Sequence, residues 1–243
     1  MATTFSIDDP RSNRLLGSLA EGNLAEIRRH LEYTVFPLGK VLCEPGEQIR
    51  FAYFPHGGMV SLVAVLADGA EAEMAVFGRE SVFGYASSLI SRQSFGRYIV
   101  QVAGSGSRIR SERLIELTET MPALRELLRR YIEALLAHSF QCIACNAVHD
   151  VEERCCRWLL TLHDRVDGDD LPVTHEFLAK MLGVQRSTVS LTVRTFQTAG
   201  LIEQRRGGVT ITDRRGIEEI ACECYLTIRR RYEILLPQTY ARH

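Results

Sequence analysis

A chain of 243 residues that is 46% hydrophobic and 24% charged is long enough to bury two modest cores, so two domains are the starting expectation. Its 29 basic and 30 acidic side chains leave a formal net charge of −1, which sits badly with nucleic-acid binding until the charge is divided along the chain. The first residues are polar, without the apolar core of a signal peptide, and no run approaches eighteen consecutive apolar residues. Secretion and a membrane span are therefore not expected, and a cytoplasmic location is.

In chain order, a helix is predicted over Gly22–Leu31. Short β-rich runs follow at Glu32–Phe36, Met59–Val65, Ala72–Phe77 and Tyr98–Ala103. Glycines separate them, at Gly39, Gly46, Gly57-Gly58, Gly69, Gly78 and Gly104. Short strands at regular spacing indicate a barrel or jelly roll, closed off by a helix over Ser111–Thr118. Residues 121–149 then read as one long helix, with Pro122 at its favoured first-turn position. Leu124, Leu128, Tyr131, Leu135, His138, Cys142 and Cys145 recur at spacings of four and three, as in a coiled-coil seam. We read that stripe as a dimer interface; packing of one helix against the barrel would give a similar stripe. Asp150 is a suitable N-cap for the next helix, Val151–His163.

Residues 174–202 carry the most information. A helix over about 175–182 buries Phe177, Leu178, Met181 and Leu182. Gly183 supplies a positive-φ turn, and a second helix starts near Arg186 with Val189, Val193 and Phe196 facing inward. The outer face of the second helix presents Arg186, Ser187, Ser190, Leu191 and Arg194. These short or basic groups can approach base edges and phosphates closely, as in a DNA-reading helix-turn-helix. Two β-rich runs around Arg205-Arg206-Gly207-Gly208 form a hairpin, which makes the unit a winged helix and puts Arg205 and Arg206 within reach of phosphate. Residues 171–243 hold 11 basic and 7 acidic side chains, so positive charge gathers where the reading head lies. The extension from Asp213 to Leu236 reads as a further helix, with an apolar stripe through Ile217, Ile220, Ala221, Cys224, Tyr225 and Ile228 that packs against the reading head.

The seven cysteines are read as reduced thiols. Cys142, Cys145, Cys155 and Cys156 form a possible thiolate set for zinc or an iron–sulfur cluster, and equally serve as small buried hydrophobes. No metal site is expected. No phosphate loop, nucleophile elbow or zincin helix is found, and the carboxylates are scattered, so an enzyme is not expected.

A roll, a long helix and a winged helix in that order, together with segments 37–47, 51–54 and 58–60, resemble the Crp/Fnr superfamily of bacterial transcription regulators. The resemblance spans about residues 22–212. It implies an α+β protein: a double-stranded β-helix sensor (1–120), a long dimerisation helix (121–149) and a winged helix-turn-helix (150–243). It also implies a homodimer that binds an inverted-repeat operator in double-stranded DNA and contacts RNA polymerase. Arg186, Ser187 and Ser190 fall where family members contact bases, and Thr188 where they contact phosphate; Leu191 departs from a common arginine.

Cyclic-nucleotide-binding members place a Gly-Glu pair and a later Arg-Ser or Arg-Thr around the ligand. Here Gly84 is followed by Tyr85 and Arg97 by Tyr98, while Ser139 and Phe140 fall where the base would be met. A tyrosine lacks the two acceptors of a carboxylate, so no cofactor is expected and cyclic AMP binding in the usual manner is disfavoured. Arg97 is left to hold another anion or to cap a strand. The oxygen-sensing branch places cysteines before the roll, but the first 42 residues contain none; for a haem ligand the candidates are His56 and His138. The competing function is a ligand- or redox-responsive sensor acting through protein contacts.

Overall fold

The structure is a computed structural model that describes residues 9–240; the first eight residues of the polar N-terminus and the last three of the chain lie outside the described residues. Two short helices, α1 (Arg14–Gly17) and α2 (Glu21–Arg28), lead into five strands: β1 (Glu32–Phe36), β2 (Val41–Cys43), β3 (Phe51–Val65), β4 (Glu71–Phe77) and β5 (Arg97–Arg110). A single turn of helix, α3 (Tyr85–Ser88), interrupts the last connection. The sheet is antiparallel in the order β1-β5-β3-β4, with β2 also on β5.

The strands β3 and β5 are longer than the sequence implies. Gly57-Gly58 and Gly104, read as separators, lie inside them, where the pairing slips register between Pro55 and Val60. A Cβ on Gly104 would stand 2.1 Å from the Gly57 carbonyl, and Gly58 has φ +79°. Such bulges bend a strand without ending it, which lets strands of this length curl into a roll. Phe36, Phe77, Phe83 and Tyr98 fill its interior. Phe83 stacks on Tyr53 with ring centroids 4.7 Å apart and on Tyr98 at 5.4 Å.

Helix α4 (Ser111–Thr120) is followed by α5 (Pro122–Val148). Met121 between them is extended, as a residue before proline must be. With 27 residues α5 runs about 40 Å. Its predicted seam faces inward. Leu124, Leu128, Tyr131, His138 and Cys145 are buried, and Leu135 and Cys142 half-buried, within this single chain. The cover comes from α10 (Cys224–Leu235), whose Ile228 and Tyr232 join Leu124, Leu128 and Tyr131 in one core with Leu15, Leu16 and Leu24. The stripe read as a dimer interface is therefore largely covered within one chain. Among the large apolar side chains left exposed on α5, Leu136 (49%), Phe140 (64%) and Ile143 (66%) again recur at spacings of four and three, with Val148 (75%) at the helix end.

Beyond α5, Asp150 and Glu153 form a capping box: Asp150 Oδ1 accepts the Glu153 N–H at 2.9 Å, and Glu153 Oε2 accepts the Asp150 N–H at 3.1 Å. It opens α6 (Val151–His163), followed by β6 (Asp170–Leu171), α7 (His175–Leu182), α8 (Arg186–Thr198), β7 (Ile202–Arg205), β8 (Gly208–Ile211) and α9 (Arg214–Ile220). The extension read as one helix is thus two, α9 and α10, broken at residues 221–223. Ile217 and Tyr225 join the C-terminal core as expected, but Ile228 packs on α5 instead.

The C-terminal unit is anchored to the roll by Arg165 and Glu80, which are 1% and 2% exposed at the side chain and 2.7 Å apart. Arg165 also donates to the Thr161 carbonyl at 2.6 Å and to the Tyr240 hydroxyl at 3.1 Å. Removing one partner of such a pair strands the other charge in a low-dielectric interior. Glu80→Ala is expected to lower the stability of the whole chain by about 3–5 kcal/mol, measured by urea unfolding.

Candidate nucleic-acid interface and roll cavity

Thr174 caps α7 by accepting the Phe177 N–H on Oγ1 at 3.2 Å, and Gly183 ends that helix with φ +65°. Leu178, Met181, Leu182, Val189, Val193 and Phe196 are buried between the two helices and the core, with Phe177 half-buried at the edge. This packing fixes the outward face of α8. Arg186, Ser187, Leu191 and Arg194 are exposed on it, and Thr188 and Ser190 are half-buried. Ser190 is already engaged: its Oγ donates to the Arg186 carbonyl at 3.0 Å and lies 3.0 Å from His175 Nδ1.

His175 was not singled out from the sequence. Burial and the nearby Arg186 charge hold its pKa below the ordinary imidazole value. It stands with Ser190, Leu191, Arg194, Gln197 and Gln204 along one shallow groove. Its position directly after the Thr174 cap was the available signal.

The hairpin β7–β8 turns through Arg206 and Gly207, the latter at φ +85°, and β6 pairs with β8 to make a three-stranded sheet. Arg206 is exposed at the tip. Arg205 instead has acidic neighbours, with Asp170 at 3.3 Å and Glu203 at 3.5 Å. Exposed pairs of this kind contribute little and exchange readily for a phosphate.

The six residues expected around an effector are dispersed. Gly84, Tyr98 and Ser139 border a cavity of about 380 Å³ between the roll and α5. Tyr85 is buried away from it, in the core with Leu15 and Leu114. Arg97 is held outside by Glu44 at 2.9 Å and Glu71 at 2.5 Å. Phe140 lies on the exposed face of α5. The cavity is lined mainly by apolar groups, among them Leu62, Phe77, Phe83 and Leu135, and its acidic group is Glu73.

Glu73 Oε1 accepts the Trp158 indole N–H at 3.0 Å and Oε2 accepts the Ser61 hydroxyl at 2.8 Å, so this carboxyl ties β4 to β3 and α6. Burial raises its pKa to about 7, against the lowering effects of Ser61, Trp158, Arg157 and Arg165. Neither haem candidate is set out as a ligand. His56 Nε2 is 2.9 Å from the buried Ser107 hydroxyl, and His138 is buried edge-on to Tyr232, with its pKa pushed down to about 3 by burial.

The cysteines sort differently from the sequence reading. Cys155 and Cys156 are fully buried among apolar side chains, and burial pushes the Cys155 thiol up to about 12. Cys142 lies 3.4 Å from Arg157 Nη1. Cys145 meets Cys222 and Cys224 from the far end of the chain. The spacings Cys145-x-x-x-His149 and Cys222-x-Cys224 were the sequence signals of that cluster.

Residues 153–220 match the Crp-like helix-turn-helix domain. The Cyclic AMP receptor protein of Thermus thermophilus is 24% identical over 208 residues, which is 79% of this chain and 89% of that protein. Among solved structures, the c-di-GMP responsive global regulator CLP of Xanthomonas campestris superposes with a TM-score of 0.65 at 21% identity, over 79% of this chain and 99% of that one. FixK2 of Bradyrhizobium japonicum superposes with a TM-score of 0.67 at 16% identity, over 79% and 98%.

A raised carboxyl pKa means that the folded state favours the neutral acid. The stabilisation is therefore complete below about 4.5 and is lost as pH rises through about 7. Glu73→Gln, which stays neutral, is expected to match the native chain in thermal stability near pH 4. Its advantage should grow between pH 4.5 and 7 and then level off, as read from melting curves across that range.

Proposed function

We propose that the chain is a transcription regulator of the Crp/Fnr type, as its match to the Crp-like helix-turn-helix domain supports, and that it binds an inverted-repeat operator in duplex DNA as a homodimer, without conventional cyclic AMP binding. The observation that carries this reading is the outer face of α8. Arg186, Ser187 and Arg194 stand exposed on a helix whose opposite face is locked into a core, beside a wing tipped by Arg206. A rigid helix with short side chains between its arginines can enter the major groove closely, where arginine reads guanine by two hydrogen bonds. Ser187 and Thr188 at its first turn add donors near the helix N-terminus, which favours phosphate. Ser190 contributes by fixing His175 and the helix start.

The dimer is assigned to the exposed row of α5, Leu136, Phe140 and Ile143, of which Leu136 and Ile143 also border the roll cavity, in place of the covered stripe. An apolar row of this kind on a long helix is suited to antiparallel or parallel pairing with its own copy, and a dimer supplies two reading heads for two half-sites. In this account the roll (1–120), the long helix (121–149) and the reading head (150–243) act as sensor, coupler and output. Movement between spacings that fit and do not fit successive major grooves occurs at the Asp150 junction. Contact with RNA polymerase completes the role.

A cyclic nucleotide, as in the relatives' names, is a poor occupant of this roll. An entering phosphate would meet Glu73 rather than an arginine, because Arg97 is engaged by Glu44 and Glu71 outside. The cavity suits an uncharged or largely apolar effector.

Arg186→Ala should cost about 1–3 kcal/mol on the operator and little on random duplex, whereas Arg206→Ala should weaken both and reduce the salt slope by about 1. Fluorescence anisotropy across a salt series separates the two, and equal losses from both variants on random DNA would remove Arg186 from base reading. A Phe140→Asp/Ile143→Asp double variant should sediment as a folded monomer and lose operator affinity at least tenfold.

A further inference from the structure

Four side chains of metal-binding type, from two distant stretches of sequence, converge at the end of α5. Cys145 and His149 lie one helical turn apart at its C-terminus. Cys222 sits in the break between α9 and α10, and Cys224 opens α10. Cys145 Sγ is 3.5 Å from Cys222 Sγ, and Cys224 Sγ is 3.6 Å from His149 Nδ1. The four candidate ligand atoms all lie within 4.8 Å of one another, and the three cysteines are buried.

These distances select the class of occupant. Zinc bonds of about 2.3 Å to sulfur and 2.0–2.1 Å to nitrogen give a tetrahedron with edges of about 3.8 Å between sulfurs and about 3.6 Å from sulfur to nitrogen. The observed separations are close to those edges. An iron–sulfur cluster interposes several irons and bridging sulfides, and holds thiolates on different irons further apart than one ion does.

The surroundings fit the same occupant. His149 Nε2 is 3.1 Å from the Glu223 carboxylate, an arrangement that puts the ring proton on Nε2 and leaves the Nδ1 lone pair facing the thiols. Three thiolates and a divalent ion sum to −1. Arg157, buried on α6, approaches the group with Nη1 3.4 Å from Cys142 Sγ and also hydrogen-bonds Cys145. A buried guanidinium placed against thiols is stabilised when those thiols are ionised.

We propose that Cys145, His149, Cys222 and Cys224 hold a single tetrahedral Zn²⁺ ion that pins the start of α10 to the end of α5. On binding, three S–H protons pass to solvent as three Zn–S bonds form, with no change of oxidation state. The ion sits one residue before the Asp150 cap, so its occupancy stiffens the junction through which the reading head is attached.

The test uses the full chain, reduced and stripped with a chelator, and titrated with Co²⁺ as a visible probe. Expected are intense tetrahedral d–d bands with thiolate charge transfer, saturating at one Co²⁺ per chain and abolished by one Zn²⁺. Zn²⁺ should also raise Tm by roughly 5–10 °C. Cys222→Ser/Cys224→Ser should lose the bands and the shift, and Cys155→Ala should keep both. Glu223→Gln, at an exposed position that leaves the core intact, should weaken Zn²⁺ binding about 10–100-fold. Cobalt that remains octahedral, bands that survive the double serine variant, or a Cys145–Cys222 disulfide in freshly purified protein would each overturn the assignment. None of these outcomes bears on DNA binding by α8, which is measured separately.

Discussion

The packing of α10 along the inner face of α5 is the contact on which the rest of the arrangement depends. Ile228, Tyr232, Leu236 and Tyr240 close over Leu124, Leu128 and Tyr131, and the N-terminal helices complete the same core. A long apolar helix needs cover over one stripe, and here its own chain supplies it; Leu136, Phe140 and Ile143 stay exposed beside it, and Leu136 and Ile143 also border the roll cavity. The same contact carries Tyr240 to the buried Arg165, and Cys222 and Cys224 to Cys145 and His149. The tail therefore helps tie together the roll, the long helix and the helix-turn-helix, which also meet through the core that Met59, Val63 and Val76 share with the C-terminal unit, the Arg165–Glu80 pair and the Glu73 hydrogen bonds.

The roll has the outline of a nucleotide-binding fold with its interior differently filled. An aromatic stack occupies the centre, and the arginine nearest the expected phosphate position faces outward into two carboxylates. The space that lies against α5 is largely apolar, and burial pushes the Glu73 carboxyl there up to about 7. A ligand entering there would touch Leu135 and Ser139 on the long helix directly. Leu136 and Ile143, exposed on α5, border the same cavity.

Features set by neighbouring residues were legible in the sequence. The turn at Gly183, the Pro122 start, the Asp150 cap and the strand Glu32–Phe36 rest on local chemistry, and the structure has them where the residue types put them. Features set by distant partners were not. A stripe at spacings of four and three shows that α5 is covered along one side, but α10, about a hundred residues later, decides by what. Gly57-Gly58 and Gly104 read equally as strand ends or as bulges until the opposing backbone is in place. Tyr85 occupies the glutamate position of the resemblance, yet its bulk goes into the N-terminal core. The cysteine group escaped because Cys145 and Cys222 are 77 residues apart, and pairs of that separation leave no periodic trace.

The central claim, a dimeric reader of specific DNA that needs no cyclic nucleotide, is tested most directly by selection from a randomised duplex pool with purified full-length protein at fixed salt and no added ligand. The account predicts enrichment of an inverted repeat with half-sites about one helical turn apart, unchanged when cyclic AMP is added. Absence of any enriched sequence, with and without cyclic nucleotides and in both reducing and oxidising buffer, would contradict it.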